Sequence, residues 1–144
     1  MSTPPSTPAG PETTGETRRP LVLIVEDEEP IAETLVYIIA ETLVYIVEDA
    51  GYRAMVAPHG KAGLALALQH RPALIFSDLM MPHVSGPELI RALHVTLDGN
   101  APPVVLMTAA HVRFAQDAGA DVVLMKPFDV ADIEALLWRF LEAH

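Results

Sequence analysis

Short, nearly continuous apolar runs alternate along this chain with longer amphipathic segments. Four runs have the length and composition of strands buried on both faces, and RAMVA (53–57) is a weaker fifth candidate. The four are LVLIVE (21–26), ALIFSD (73–78), PVVLMT (103–108) and DVVLM (121–125). Helical patterns occupy 31–48, 61–70, 87–97, 112–118 and 130–143. This alternation predicts an α/β fold, a doubly wound five-stranded parallel sheet with helices on both faces and right-handed crossovers.

Composition limits the classes of protein that this chain can represent. Its 144 residues are 51% hydrophobic, which suits one domain at 21–144, whereas the proline-rich residues 1–20 are expected to form a disordered tail. The formal net charge of −10 disfavours binding to nucleic acid or to anionic membranes. The absence of cysteine excludes disulfides and thiolate chemistry, and no secretory leader is visible. We expect a cytoplasmic protein without a membrane span.

Polar residues end the predicted strands, and a parallel sheet would bring these ends to one edge. They are Glu26 and Asp27, Asp78, Thr108, and Lys126. Three carboxylates cannot all be ionised in one place without a cation, and an oxygen-rich set selects a hard divalent ion such as Mg²⁺. A threonine hydroxyl and a lysine ammonium suit an incoming phosphoryl group. The pattern therefore predicts phosphoryl transfer to an aspartate.

Four ordered segments carry a resemblance to a known family. VEDEEP (25–30), SDLMMPHVSG (77–86), VLMTAA (105–110) and MKPF (125–128) resemble the signature segments of bacterial two-component response-regulator receiver domains. The resemblance covers roughly residues 21–144 and is greatest to stand-alone, chemotaxis-regulator-like receivers. It implies a flavodoxin-like fold and a phospho-accepting signalling switch of a phosphorelay, with a sensor histidine kinase or a histidine phosphotransfer protein as donor and an unidentified downstream protein as target.

The resemblance also implies a role for each matching residue. Asp78 would be the phosphoacceptor, and Mg²⁺ would be held by Asp78, Asp27, the backbone carbonyl of Met80 and, in support, Glu26. Thr108 and Lys126 would contact phosphoryl oxygens, and the Lys126–Pro127 bond would be cis. Such a protein assists its own phosphorylation and dephosphorylation, and no separate substrate turnover is expected.

Three positions separate this chain from phosphatases and from typical receivers. Phosphatases that form an aspartyl phosphate carry a general acid two residues after the nucleophile, where this chain has Met80, which cannot transfer a proton. Met80 and Ala110 also offer no polar group to orient an attacking water, so we expect a long-lived phosphorylated form. Val123 stands where receivers usually have an aromatic switch residue.

A tandem repeat departs from the family pattern. AETLVYII (32–39) is followed at once by AETLVYIV (40–47), with seven of eight positions identical. Eight extra residues lengthen the first helix by ~12 Å and rotate the second copy by ~80°. A looped-out bulge, a partner covering the overhang, or exchange of elements between two chains would each accommodate them. The alternative function is thus a receiver-fold interaction protein that forms a homodimer or domain-swapped dimer through residues 31–49, with phosphorylation secondary or lost.

Overall fold

The computed structural model describes residues 19–26, 33–109 and 119–142, with the backbone alone described for 33–39. Its strands are β1 (Leu21–Val25), β2 (Arg53–Ala57), β3 (Leu74–Asp78), β4 (Val104–Thr108) and β5 (Val122–Met125). Its helices are α1 (Glu33–Asp49), α2 (Gly60–His70), α3 (Gly86–Leu97) and α4 (Val130–Leu141). Each matches a predicted element to within two residues. The helix predicted at 112–118 lies outside the described residues.

The five strands form one parallel sheet in the order β2-β1-β3-β4-β5. The predicted doubly wound α/β fold is therefore confirmed. The chain passes from β1 outward to β2 and then returns to place β3 on the other side of β1. Such a reversal opens a crevice at the carboxyl ends of β1 and β3. Here β1 ends next to Glu26, and β3 ends at Asp78.

Strand β1 is apolar throughout because both faces of the sheet are covered. Along β1, Leu23 and Val25 pack into a core with residues of α2 and α3, whereas Val22 and Ile24 pack into a second core with residues of α1 and α4. Side chains alternate between the faces with a period of two, so a doubly covered strand needs an apolar residue at every position. Burial of all five β1 residues follows.

Local sequence signals fix the starts of the last two described helices. Ser85 and Glu88 form a capping box at α3, where proline follows in the first turn. Asp129, the N-cap of α4, forms a second capping box with Asp132. The exposed carboxylate of Glu88 accepts hydrogen bonds from the backbone and the hydroxyl of Ser85, which lower its pKa.

One helix, α1, carries the tandem repeat. It runs without interruption from Glu33 to Asp49 and so passes through both copies. In the second copy Leu43, Ile46 and Val47 are buried against the sheet, while Tyr45 is 69% exposed. Over a continuous helix, eight residues rotate equivalent positions of the two copies by ~80° about the helix axis. Assembly through residues 31–49 stays a prediction.

Candidate phosphoryl-transfer site

Backbone contacts place two carboxylates at the carboxyl edge of the sheet. The amide of Glu26 donates to the carbonyl of Ala57 at the end of β2 (3.1 Å), which extends the strand pairing by one residue. Asp78 is the last residue of β3, and the next amide, that of Leu79, donates to the carbonyl of Met107 (3.0 Å). Both acidic residues are buried, with 7% of Glu26 and 3% of Asp78 exposed. Their positions are therefore set by the sheet rather than by a loop.

The start of α3 packs directly against the Asp78 backbone. The amide of Gly86 donates to the carbonyl of Leu79 (3.0 Å). A Cβ at Gly86 would lie 2.6 Å from the Asp78 carbonyl oxygen and 2.6 Å from Cδ2 of Leu106, too close for either contact. Only glycine permits this approach without displacement, so the helix start and the strand end support each other.

Lys126 reaches the carboxylates from the end of β5. Its amide donates to the carbonyl of Thr108 (2.7 Å), and the Lys126–Pro127 peptide is cis, as the resemblance implied. Its Nζ lies 2.8 Å from Asp78 Oδ1 and 3.5 Å from Glu26 Oε1. These are one close charge-assisted hydrogen bond and one longer ion pair. Three segments distant in sequence thus meet at one point.

The electrostatics of this cluster favour further positive charge. Two carboxylates and one ammonium sum to −1, and the exposed fractions of their side chains are only 2% (Glu26), 4% (Asp78) and 12% (Lys126). Buried charges are costly unless they are compensated, and carboxylate oxygens are the ligands that hard divalent cations prefer. Across the described ranges no group of three or more acidic, histidine or cysteine side chains is close enough to hold a metal, but Asp27 lies outside those ranges.

Three further positions named in the sequence analysis are Thr108, Met80 and Val123. Thr108 is buried at the end of β4, on the strand next to Asp78. Met80, whose carbonyl was predicted to bind metal, has a side chain that is 75% exposed. Val123, at the usual aromatic position, is partly buried and packs against the core on the α2 and α3 face.

One polar residue beside the phosphoacceptor candidate was missed by the sequence analysis. Ser77 is fully buried, and its hydroxyl donates to the carbonyl of Asp78 (3.0 Å). A lone hydroxyl inside an otherwise apolar strand is the sequence signal that could have found it, because a buried hydroxyl has to hydrogen-bond within the protein.

The fold and this edge define a class of protein, the doubly wound α/β domains that carry an acidic site with a lysine at the carboxyl ends of their strands. Within that class, the family model of the response regulator receiver domain matches residues 22–137. The chain therefore belongs to the response-regulator receiver family of two-component systems.

Individual relatives agree with this assignment. The chain is 38% identical over 128 residues to the DNA-binding dual master transcriptional regulator RpaA of Synechocystis, covering 83% of this chain and 50% of that protein. It is 30% identical over 131 residues to histidine kinase P4 of Formosa agariphila, covering 88% of this chain and 9% of the kinase. The chain thus spans about half the length of the curated response regulators it matches.

A solved structure shows the same fold. The chemotaxis response regulator CheY4 of Vibrio cholerae superposes with a TM-score of 0.71 at 28% identity, covering 85% of this chain and 99% of that one. Within the described part of the chain, no helix has the length and apolar character that crossing a membrane requires.

Proposed function

We propose that this protein is a phospho-accepting switch in which Asp78 takes a phosphoryl group from a phosphohistidine and forms an acyl phosphate. The observation that carries the proposal is the 2.8 Å contact between Lys126 Nζ and Asp78 Oδ1 at the carboxyl edge of the sheet. The contact sets an ammonium beside the oxygen that would attack phosphorus. Developing charge on the transferred group would meet a donor that is already in place.

The environment of Asp78 suits a nucleophile that has to be both held and reachable. Its backbone is fixed by the β3–β4 pairing, by Ser77 and by the start of α3. Its side chain contacts a lysine that could move to a phosphoryl oxygen once one is present. Thr108, at the end of the neighbouring strand, would donate its hydroxyl to another of those oxygens.

We propose Mg²⁺ as the cofactor, held by Glu26, Asp27, Asp78 and the carbonyl of Met80. The described donors are carboxylate oxygens beside a single lysine, a hard and net negative set that fits this ion. When bound, Mg²⁺ would neutralise charge on the phosphoryl oxygens during transfer. The protein itself holds the Asp78 carboxylate in place, with the Lys126 ammonium 2.8 Å from its Oδ1.

The partners follow from this chemistry. A phosphohistidine donor belongs to a sensor histidine kinase or a histidine phosphotransfer protein, and the phosphorylated form would signal to a further protein in the cytoplasm. In this scheme the chain is phosphorylated and dephosphorylated on its own aspartate and turns over no separate substrate.

The test is phosphorylation by a small donor. Acetyl phosphate with Mg²⁺ should add one phosphoryl group to the intact protein, as measured by mass. Asp78→Asn, which keeps the shape of the side chain and removes the nucleophile, should add none. Equal incorporation in the variant, or none in the wild type, would overturn the proposal.

The uninterrupted α1 supports a second candidate, assembly of the receiver through its repeat. Leu43, Ile46 and Val47 of the second copy already pack against the sheet. Equivalent positions of the first copy are rotated by ~80° about the helix axis. Apolar residues of the first copy would then cover a second chain, as a homodimer or by exchange of elements. Sedimentation or light scattering should find a dimer that is lost when residues 32–39 are deleted, and a monomer at every concentration refutes this candidate.

A further inference from the structure

A single tryptophan, Trp138 on α4, is 63% exposed beside a cleft of about 300 Å³. The remaining walls are Ala50, Tyr52, Glu134, Leu137 and Glu142. Ala50 and Tyr52 lie between the end of α1 and the start of β2, and α4 ends next to Glu142. The cleft therefore lies near the amino ends of the strands, at the opposite edge of the sheet from Asp78. It shares no residue with the proposed phosphoryl-transfer site.

Two carboxylates bracket the indole ring along α4. Glu134, Trp138 and Glu142 are spaced by four residues, which places them in a row on one face of the helix. The hydroxyl of Tyr52, from the far side of the cleft, donates to Oε2 of Glu142. Burial and the neighbouring Glu142 raise the pKa of Tyr52 to about 12, so the phenol stays a donor at neutral pH. Glu142 is thus held in place before any partner arrives.

The charged side chains that line the cleft are both negative, Glu134 and Glu142. Glu48 at the end of α1 lines a neighbouring cleft together with Arg19 and Arg53, so the excess of negative charge comes from Glu134 and Glu142. Arg139, next to Trp138 in sequence, directs its guanidinium over the ring of Phe140, with 5.0 Å to the centroid. A partner that buried the indole and Ala50 here would therefore meet the two carboxylates. Charge complementarity selects a basic group.

We propose that this cleft docks a protein segment that presents an arginine beside an apolar side chain. The guanidinium would stack on Trp138, the aromatic residue that attracts cations most strongly. Its N–H groups would pair with Glu134 and Glu142, because a planar guanidinium has donors enough for two carboxylates. The apolar neighbour would cover the exposed Ala50, above the already buried Leu137. Tryptophan is among the residues most enriched at the energetic hot spots of protein interfaces.

Fluorescence of the single tryptophan tests this directly. The probe is N-acetyl-leucyl-arginine amide at low salt, and the matched probe carries citrulline, a neutral residue of nearly the same shape. The arginine probe should change Trp138 fluorescence saturably, with a Kd on the order of millimolar for so small a ligand. The citrulline probe should bind at least roughly tenfold more weakly.

Variants distinguish binding of the arginine probe at this cleft from non-specific attraction of a cation to an acidic protein. Glu134→Gln should weaken binding of the arginine probe roughly threefold or more, as expected for an exposed charge pair. Asp98→Asn removes the same charge from the end of α3, on the other face of the sheet, and should leave binding unchanged. An unsaturable response, equal binding of both probes, or equal weakening by both variants would overturn the proposal.

Discussion

The substitution Gly86→Ala probes the contact between the start of α3 and the phosphoacceptor strand. The added Cβ would lie 2.6 Å from both the Asp78 carbonyl oxygen and Leu106 Cδ2, and 3.2 Å from the Leu79 Cα. Alanine in a helix is favoured over glycine by up to about 1 kcal/mol, whereas overpacking costs about 1 to 3 kcal/mol. One of the two short contacts is to backbone, which cannot rotate away. We therefore expect a net loss of about 1 to 2 kcal/mol in the free energy of unfolding.

The same displacement should impair the chemistry. If Asp78 moves relative to Lys126, phosphorylation by acetyl phosphate should slow roughly tenfold or more in protein that is still folded. Urea unfolding gives the stability, and mass spectrometry at several times gives the rate. A variant as stable as the wild type and phosphorylated at the same rate would refute the reasoning.

A matched control and a second variant distinguish packing from positioning. Gly63→Ala would place its Cβ 2.7 Å from a methyl of Val25, a similar clash but with a side chain of β1 and not with the backbone of Asp78. It should lose stability but keep the phosphorylation rate. In a Leu106→Val background, the stability cost of Gly86→Ala should shrink while the slow phosphorylation persists, because the clash with the Asp78 carbonyl remains.

Four further predictions follow from single side chains. Lys126→Met leaves two buried carboxylates together and should lower the free energy of unfolding by about 3 kcal/mol without Mg²⁺. Added Mg²⁺ should restore part of this stability. A variant as stable as wild type in urea unfolding would contradict the ion-pair geometry. Tyr52→Phe removes the hydrogen bond to Glu142 and should lower the free energy of unfolding by about 1 kcal/mol. Because the pKa of Tyr52 in the folded protein is raised to about 12, this difference from wild type should be full below pH ~10 and vanish as the pH rises through ~12. A difference that stays constant over that range would count against the prediction. The pKa of Glu88 is lowered in the folded state, so wild type should be more stable than Glu88→Gln at neutral pH. This advantage should disappear as the pH falls from the ordinary pKa of a glutamate through the lowered pKa of the folded protein, which unfolding of both proteins at a series of acid pH values checks. Met80→Asn places a group able to orient water two residues after Asp78, and it should shorten the half-life of the phosphorylated protein, measured after removal of donor. An unchanged half-life would show that the apolar side chain does not protect the acyl phosphate.

The sequence predicted the sheet well because both of its faces are covered. A doubly buried strand leaves a continuous apolar run, and Glu26, Asp78 and Thr108 mark where three such runs stop. Parallel topology then requires these ends to share an edge. The two edge strands, β2 and β5, are only partly buried. The run at 53–57 gave a weak signal accordingly, whereas the expectation that 121–125 is buried on both faces was wrong, because an edge strand is less fully covered.

Contacts made by individual side chains were not predictable in the same way. The bond between Tyr52 and Glu142 joins residues 90 positions apart, and it depends on how α4 lies against the start of β2. The hydroxyl of Ser77 and the close approach of Gly86 likewise depend on packing distances that no periodicity encodes. Asp27, which the sequence marks as clearly as Asp78, lies outside the described residues.

The most direct measurement of the central claim is chemical trapping of the phosphorylated residue. After reaction with acetyl phosphate and Mg²⁺, borohydride reduces an acyl phosphate on aspartate to the alcohol of homoserine, and sequencing of the peptides by mass spectrometry locates it. Homoserine at position 78, and none in the Asp78→Asn variant, is the predicted result. Homoserine at another acidic residue, or phosphate that resists borohydride, would contradict Asp78 as the phosphoacceptor.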